Sequence, residues 1–424
     1  MFSLLFVFMT DADNTSRGKP ETLSTFSPAS DALADRLPTR LFAPYLASAV
    51  TLAMAYGSSF LLPDALSAAG HPASTAGAVV SVGTVATLVG SLVAGRLAER
   101  AGILPLIITA AAIMAAAMAC FAMIGSGGLP LAYAGGLLLG LGWAVFYMLA
   151  PVQLIHCLRP AARLEALTLL SGSQMLGIGL SAPLGHLVAD HVGGPARAYA
   201  VYAAFCALAA GFCLAIRKPM ALQLQLPMHA VALTITSILS VLRASTVVPV
   251  VMMGVAACTF AGLSTFQGLY AGSRGTTADV FFLTFTVATV VLRFSVASMI
   301  GSLPLARVAL ALFIATLLGL GLLVANEGSR TLYVVATILF ATGYGLTYST
   351  LNAMVVNLAG AKDLSVPVAS QVFTLGYFIG LFGFPFVAGR VIAGYGIDAA
   401  LVVMAALVAA NIVAATCVMR KIDQ

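Results

Sequence analysis

Charge is what this chain has least of: Asp, Glu, Lys and Arg make up 8% of its 424 residues, against 61% hydrophobic residues. A soluble domain carries about 25% charged residues, so a water-facing globule of this length is excluded. Six cysteines are present, five of them (Cys120, Cys206, Cys213, Cys258, Cys417) inside apolar stretches and Cys157 in a connecting loop, a placement that excludes a disulfide framework. The five histidines (His71, His156, His186, His191, His229) are scattered, none reads as paired with an acid inside an apolar stretch, and neither an HExxH nor a phosphate-cradling glycine loop occurs. No cofactor or metal is therefore expected, and an intramembrane enzyme or a nucleotide-driven pump lacks the groups it needs. The longest polar segments, of about 40 and about 30 residues, are too short for a soluble output domain.

What remains is apolar sequence in pieces of one length. Twelve stretches of roughly 20 residues, the length that crosses about 30 Å of hydrocarbon, recur at 41–62, 74–94, 103–124, 129–150, 166–188 and 198–216, then at 247–270, 280–300, 305–325, 331–355, 366–391 and 399–419. The expected fold is an all-α polytopic membrane protein of twelve transmembrane helices in two six-helix halves. Its parts are an N-terminal tail (1–40), a first bundle (41–216), a central loop (217–246), a second bundle (247–419) and a short tail (420–424). The net charge of +6 needs no nucleic acid to explain it. With the N-terminus inside, fifteen of the twenty basic residues fall in inner loops and tails, so both termini are expected in the cytoplasm. The opening MFSLLFVFM is too short to span and lacks a basic n-region, and Met9 is an alternative start. Within the central loop, apolar residues at helical spacing over 230–242 suit an amphipathic helix along the inner surface.

The halves repeat each other. TVAT occurs at 84–87 in the second stretch and at 286–289 in the eighth, a shift of 202. Gly142, Trp143 and Tyr147 of the fourth recur as Gly343, Tyr344 and Tyr348 of the tenth, a shift of 201. Ser173-Gln174 of the fifth answers Ser370-Gln371 of the eleventh. Three matches in register are the trace of a parallel repeat.

The loop after the second stretch reads GRLAERAG, 95–102, and resembles the inner-loop motif of the major facilitator superfamily. The resemblance covers about 41–419 and implies a carrier of two pseudo-symmetric halves. It further implies that Gly95 permits the helix-loop turn and that Glu99 and Arg100, with Gly102, belong to a gating charge network. Glu99 stands where the family usually has aspartate, and Ile103 and Leu104 where basic residues are common. The fifth stretch, GIGLSAPLG at 177–185, is similar to the Gly- and Pro-rich motif of the drug:proton antiporter branch, which implies efflux. Packing is the competing reading for Gly177, Gly179, Pro183 and Gly185, and the preferred one for Gly136 with Gly140 and Gly376 with Gly380.

The expected function is a secondary active exporter of a drug or metabolite, by alternating access and coupled to protons, in a bacterial inner membrane. Its partners are a small molecule, protons and the lipid bilayer, with no nucleic acid, and the chain is expected to be monomeric. The alternatives are a siderophore-type or other anionic metabolite as cargo, or an importer of a small organic solute. No acid lies mid-span, so Asp64 and Asp279, at outer helix ends, are the proton-coupling candidates. Arg293 is the one base well inside a stretch, where it reads either as a contact for an anionic substrate or as a gate brace. The uncharged candidates for substrate binding are Tyr56, Trp143, Tyr147, Gln174, Gln267, Tyr344, Tyr348, Asn352, Gln371 and Tyr377, each of which has packing between helices as its alternative role. His186 reads as an interfacial residue.

Overall fold

A computed structural model describes residues 37–158, 160–222, 233–300 and 304–422. The N-terminal run with Met9, the stretch 223–232 with His229 and the last two residues lie outside the described residues. A chain that buries its backbone in lipid must pair every N–H and C=O within the segment, and the described residues accordingly form helices. In order these are α1 (Thr39–Gly57), a 3-10 turn (Ser58–Leu61), α2 (Leu62–Ala68), α3 (Thr75–Ala101), α4 (Ile103–Ala122), α5 (Ile124–Cys157), α6 (Pro160–Val192) and α7 (Pro195–Ala221). Then follow α8 (Ile235–Arg243), α9 (Val247–Thr265), α10 (Gln267–Ser273), α11 (Ala278–Ile300), α12 (Leu305–Val324), α13 (Arg330–Gly360), α14 (Val366–Tyr395) and α15 (Ile397–Ile422).

Among the described residues eleven helical segments are long and apolar enough to cross a membrane, and α11, with 23 residues, fills the place of the eighth expected span. Connections are short, so neighbouring spans run antiparallel. The face where α1 begins is termed proximal and the opposite face distal. Several helices outrun their apolar stretches, because helical hydrogen bonding continues into water after the hydrophobic run has stopped. The first span is the instructive case. Instead of ending at Leu62 it passes through the 3-10 turn and restarts at α2, with Pro63 in the first turn, where its missing N–H costs nothing. Asp64 is thereby carried on an extra distal helix. The amphipathic segment is shorter than expected: α8 has nine residues and starts at a capping box of Thr234 with Ser237. Ile235, Leu239 and Leu242 are exposed on it while Val241 packs inward, the disposition of a helix lying on a membrane surface.

Helix packing uses small residues, since lipid offers no hydrophobic drive for association. A Cβ on Gly140 of α5 would collide with the Gly83 carbonyl of α3, and one on Gly380 of α14 with the Gly254 carbonyl of α9. The repeat is visible at the same level. Gly142 packs on Ala110 and Met114 of α4, and Gly343 on Leu312 and Thr316 of α12, positions 202 apart in both cases. Tyr56 stacks on Trp143 at 4.4 Å between ring centroids and 15° between planes, and Phe260 stacks on Tyr344 at 4.5 Å and 6°.

Between the halves, α3 pairs with α14 and α6 with α11, and the distal end of the first span touches α9 and α10. Many of these contacts are distal. Gly77 lies under the Pro385 carbonyl and Gly389 against Ser74. The Ser81 hydroxyl donates to the Gly383 carbonyl (3.1 Å) and accepts from the Phe386 N–H (2.9 Å). The distal ends are zipped together.

Candidate functional site

Halfway along the axis between the halves, the spans converge on aromatic rings. Tyr147 of α5 lies 6.2 Å from Tyr348 of α13 and 5.7 Å from Tyr377 of α14, and 5.5 Å from Trp143 on its own helix. Tyr56 closes the group distally against Trp143 and Phe382, the latter at 5.9 Å. Arg293 of α11 enters from the side: one terminal N–H donates to the Ser171 hydroxyl of α6, and Tyr147, Tyr344, Tyr348 and Tyr377 surround its charge. Gln174 is one turn from Ser171 and Asn352 one turn from Tyr348. Gln371 is one turn from Thr374, whose hydroxyl bonds Tyr348 at 3.2 Å. Ten of the eleven substrate-binding candidates therefore belong to one neighbourhood. Gln267 does not. It is buried at the start of α10, where its amide donates to the Tyr333 hydroxyl (2.5 Å) and ties α10 to α13.

Two properties make this neighbourhood the candidate site. Five buried polar atoms in it have no protein partner: Trp143 Nε1, Gln174 Nε2, Arg293 Nε, Asn352 Oδ1 and Gln371 Oε1. Buried polar groups are normally bonded, so such a concentration points to a ligand or water. Burial is also graded, with Tyr56, Trp143 and Tyr344 buried on the distal side while Tyr147, Arg293, Tyr348, Asn352 and Gln371 are half-buried. With the distal ends zipped, the group is reached from the proximal face. By contrast, the groove lined by Leu283, Val287, Val291 and Ile338 between α11 and α13 is almost wholly apolar and suits lipid.

The distal rim holds the residue that sequence reasoning misjudged. His186 of α6 is not a lone interfacial histidine. Its Nδ1 lies 2.6 Å from Asp279 Oδ1 of α11 and its Nε2 3.3 Å from Asp64 Oδ2 of α2. Asp64 and His186 belong to the first half and Asp279 to the second, so the bond to Asp279 crosses between halves. Nearby, the Tyr199 hydroxyl of α7 donates to the Ser58 carbonyl (3.1 Å). Residues 122 and 93 positions apart meet here, which no local spacing announces; the one available signal was that Asp64, His186 and Asp279 all sit at the same end of their spans. Both ring nitrogens are engaged by carboxylates, so none is left to activate a nucleophile. Among the described residues no cluster suits a metal ion.

At the proximal face the loop motif is rearranged relative to expectation. Gly95 lies inside α3, and the chain reverses at Gly102, whose φ of 87° is the left-handed conformation that glycine tolerates. Glu99 and Arg100 are exposed on the last turn of α3. In α6 the glycines of the efflux-like motif are all in contact: Gly177 with Val50 and Ala53 of α1, Gly179 with Thr286 of α11, and Gly185 with Leu61 and Tyr202.

A family model described as the Major Facilitator Superfamily matches residues 44–383. No curated protein matches the sequence. Among solved structures, the nucleoside transporter NupG is similar with a TM-score of 0.70 at 12% identity, covering 91% of this chain and 99% of that one. A point mutant of it gives 0.69 at 12%, covering 89% and 99%. A point mutant of the E. coli fucose:proton symporter FucP gives 0.60 at 16%, covering 88% and 97%. At these identities the likeness is one of fold.

Proposed function

The chain belongs to the major facilitator superfamily and is a multi-pass membrane transporter, and from that premise we propose that it takes up a small organic solute together with protons. The observation that carries this is the separation of two polar groups. The aromatic and amide group lies midway between the halves, whereas the carboxylate bond that joins the halves, from Asp279 of the second to His186 of the first, lies at the distal rim. Antiport by competition needs a carboxylate that solute and proton share, whereas separate sites allow both to be bound at once.

The rim cluster supplies the link between proton and conformation. A neutral imidazole has one N–H, so two carboxylate contacts are both favourable only when the ring carries two protons. The bond to Asp279 forms only with the distal ends together. Neutralising Asp279 removes the ionic part of that bond and releases the ends, so protonation favours the distal-open conformation. The solute then binds midway, its contacts with both halves replace the lost ionic bond so that the distal ends close with Asp279 still protonated, and the proton is given up toward the proximal side before the empty carrier returns.

The efflux reading rested on the small residues of α6, which packing accounts for. The neighbours named as a nucleoside transporter and a fucose:proton symporter add weight to polar solutes and to symport. Basic residues favour a proximal face in the cytoplasm, with Arg40, Arg96, Arg100, Arg163, Arg217, Lys218, Arg243, Arg307 and Lys362 there, against Arg197, Arg274, Arg330 and Arg390 at the distal face. This reading places the chain in a bacterial inner membrane, as a monomer, with the distal face outside.

The test is proton movement in proteoliposomes on adding single solutes from a panel of nucleosides, sugars and aromatic acids. Solute-dependent alkalinisation outside, lost in Asp279→Asn, is the expected outcome. Acidification outside marks antiport and overturns the proposal.

A further inference from the structure

We infer that the solute is a planar organic monoanion, a monocarboxylate on an aromatic or conjugated ring, held by the Arg293 guanidinium among the tyrosines. This rests on reading the central group as the solute site. Its starting point is an imbalance of charge. Arg293 has five N–H donors; one is given to Ser171, and the Nε, buried, has no partner. The ionisable groups that act on its charge are Tyr147, Tyr344, Tyr377 and Tyr348, and no carboxylate is among them.

Comparison with another arginine shows what is missing. Arg274, at the distal rim, has Asp398 at 2.6 Å and lies over the Tyr270 ring at 5.7 Å. Both arginines have an unpartnered Nε, but among the described residues Arg293 has neither a carboxylate partner nor a ring beneath it. A guanidinium held at that depth without a counterion is costly, and the fork of N–H groups matches a carboxylate. One cation calls for one negative charge, so a monocarboxylate balances it where a phosphate dianion leaves an excess.

The walls specify the rest. Flat phenol and indole faces favour a flat ring over a puckered one. Gln174 Nε2 is a spare donor beside Ser171, whereas Asn352 Oδ1 and Gln371 Oε1 are spare acceptors on the opposite helices. Acceptors pointing at a ring select hydroxyl or amino substituents on it. One proton carried with one monoanion moves no net charge, which fits the two separate groups.

The experiment uses the purified full chain in detergent, without membrane or gradient, so that its outcome is independent of transport direction and of proton coupling. Trp143 is the only tryptophan, and its ring lies in the site, so its emission reports occupancy directly. The probes are 4-hydroxybenzoate and nicotinate, their neutral amides, cyclohexanecarboxylate and inorganic phosphate. The acids are expected to change the emission and raise the melting temperature, binding at least about tenfold more tightly than the amides. Arg293→Gln should abolish that preference and Arg293→Lys retain part of it, with elution volume and melting of the ligand-free variants showing that both fold. Equal binding of acids and amides, a preference that survives Arg293→Gln, or no response to any acid up to about 10 mM overturns the proposal. Equal binding of cyclohexanecarboxylate overturns its planar part, and equal binding of phosphate its restriction to carboxylates.

Discussion

At the distal rim His186 has a carboxylate on each ring nitrogen, while at mid-axis Arg293 has one serine, a ring of neutral phenols and an N–H with no partner. Both are polar groups set between the halves of a transporter, yet one is a completed network and the other an incomplete one. Completed networks hold elements in one arrangement, and this one spans the halves, so it acts on conformation. Incomplete ones carry a desolvation cost that a ligand removes, so the central group acts on solute. On the proposed reading the first is the gate and the second the solute site.

The comparison is most severely strained by substituting where the halves touch against where helices of one half touch. Gly77→Leu drives a side chain into Pro385 of the other half, and the account expects a folded protein trapped distal-open, with transport reduced by about a hundredfold or more. Labelling of a distal cysteine by an impermeant maleimide checks it. Gly140→Leu, pressed on Gly83 within one half, should instead lower folded yield, as read by detergent elution.

Next in size is Asp279→Asn, expected to cut solute-driven proton movement about tenfold or more while leaving equilibrium solute binding within about twofold, since it removes the cross-half ion pair and not the site. The converse variant, Arg293→Gln, should remove binding of acids and leave the pH response of the distal ends intact. The pH response itself has a sign. In the solute-free protein closure is held by the charged His186–Asp279 pair, so it is greatest where both partners are charged and falls as either one is neutralised. A monotonic response, measured by the same maleimide labelling, contradicts that arrangement.

Smaller effects sharpen the contrast. Trp143→Phe keeps the stack on Tyr56 but drops the orphaned indole N–H, and solute affinity should fall about three- to tenfold. Thr234→Ala removes the cap of α8, costs about 1 kcal/mol of local stability and should leave transport unchanged within about twofold.

Much of the architecture was legible in the sequence because bilayer thickness imposes a single length scale and the repeat imposes a second. The repeat shift of TVAT, 202 residues, reappears in the packing partners of Gly142 and Gly343, and the break at Gly128 in α5 (φ 63°) falls just before the expected start of that span. The grouping of polar and aromatic residues between the halves was legible in outline, since such residues in otherwise apolar spans have few other uses. Gln267 was drawn into it by depth alone, whereas its amide N–H ties α10 to Tyr333 away from the central group. The rim cluster was illegible. Each of its members sits at a helix end, where solvation is the ordinary reading, and only the pairing of α6 with α11 brings His186 to Asp279. The reach of Asp64 was hidden as well, because an apolar-run count ends the first span at Leu62 and does not see the helix restart at Pro63.

The most direct test of the central claim is the distance between the distal ends of the two halves as a function of pH, from spin labels at Asp190→Cys and Glu327→Cys, both exposed positions, in a chain also carrying Cys417→Ser. The account expects short distances at neutral pH giving way to a longer population on acidification, and the longer population at every pH when Asp279→Asn is added. A distribution that is the same at all pH values, with and without Asp279→Asn, would contradict it.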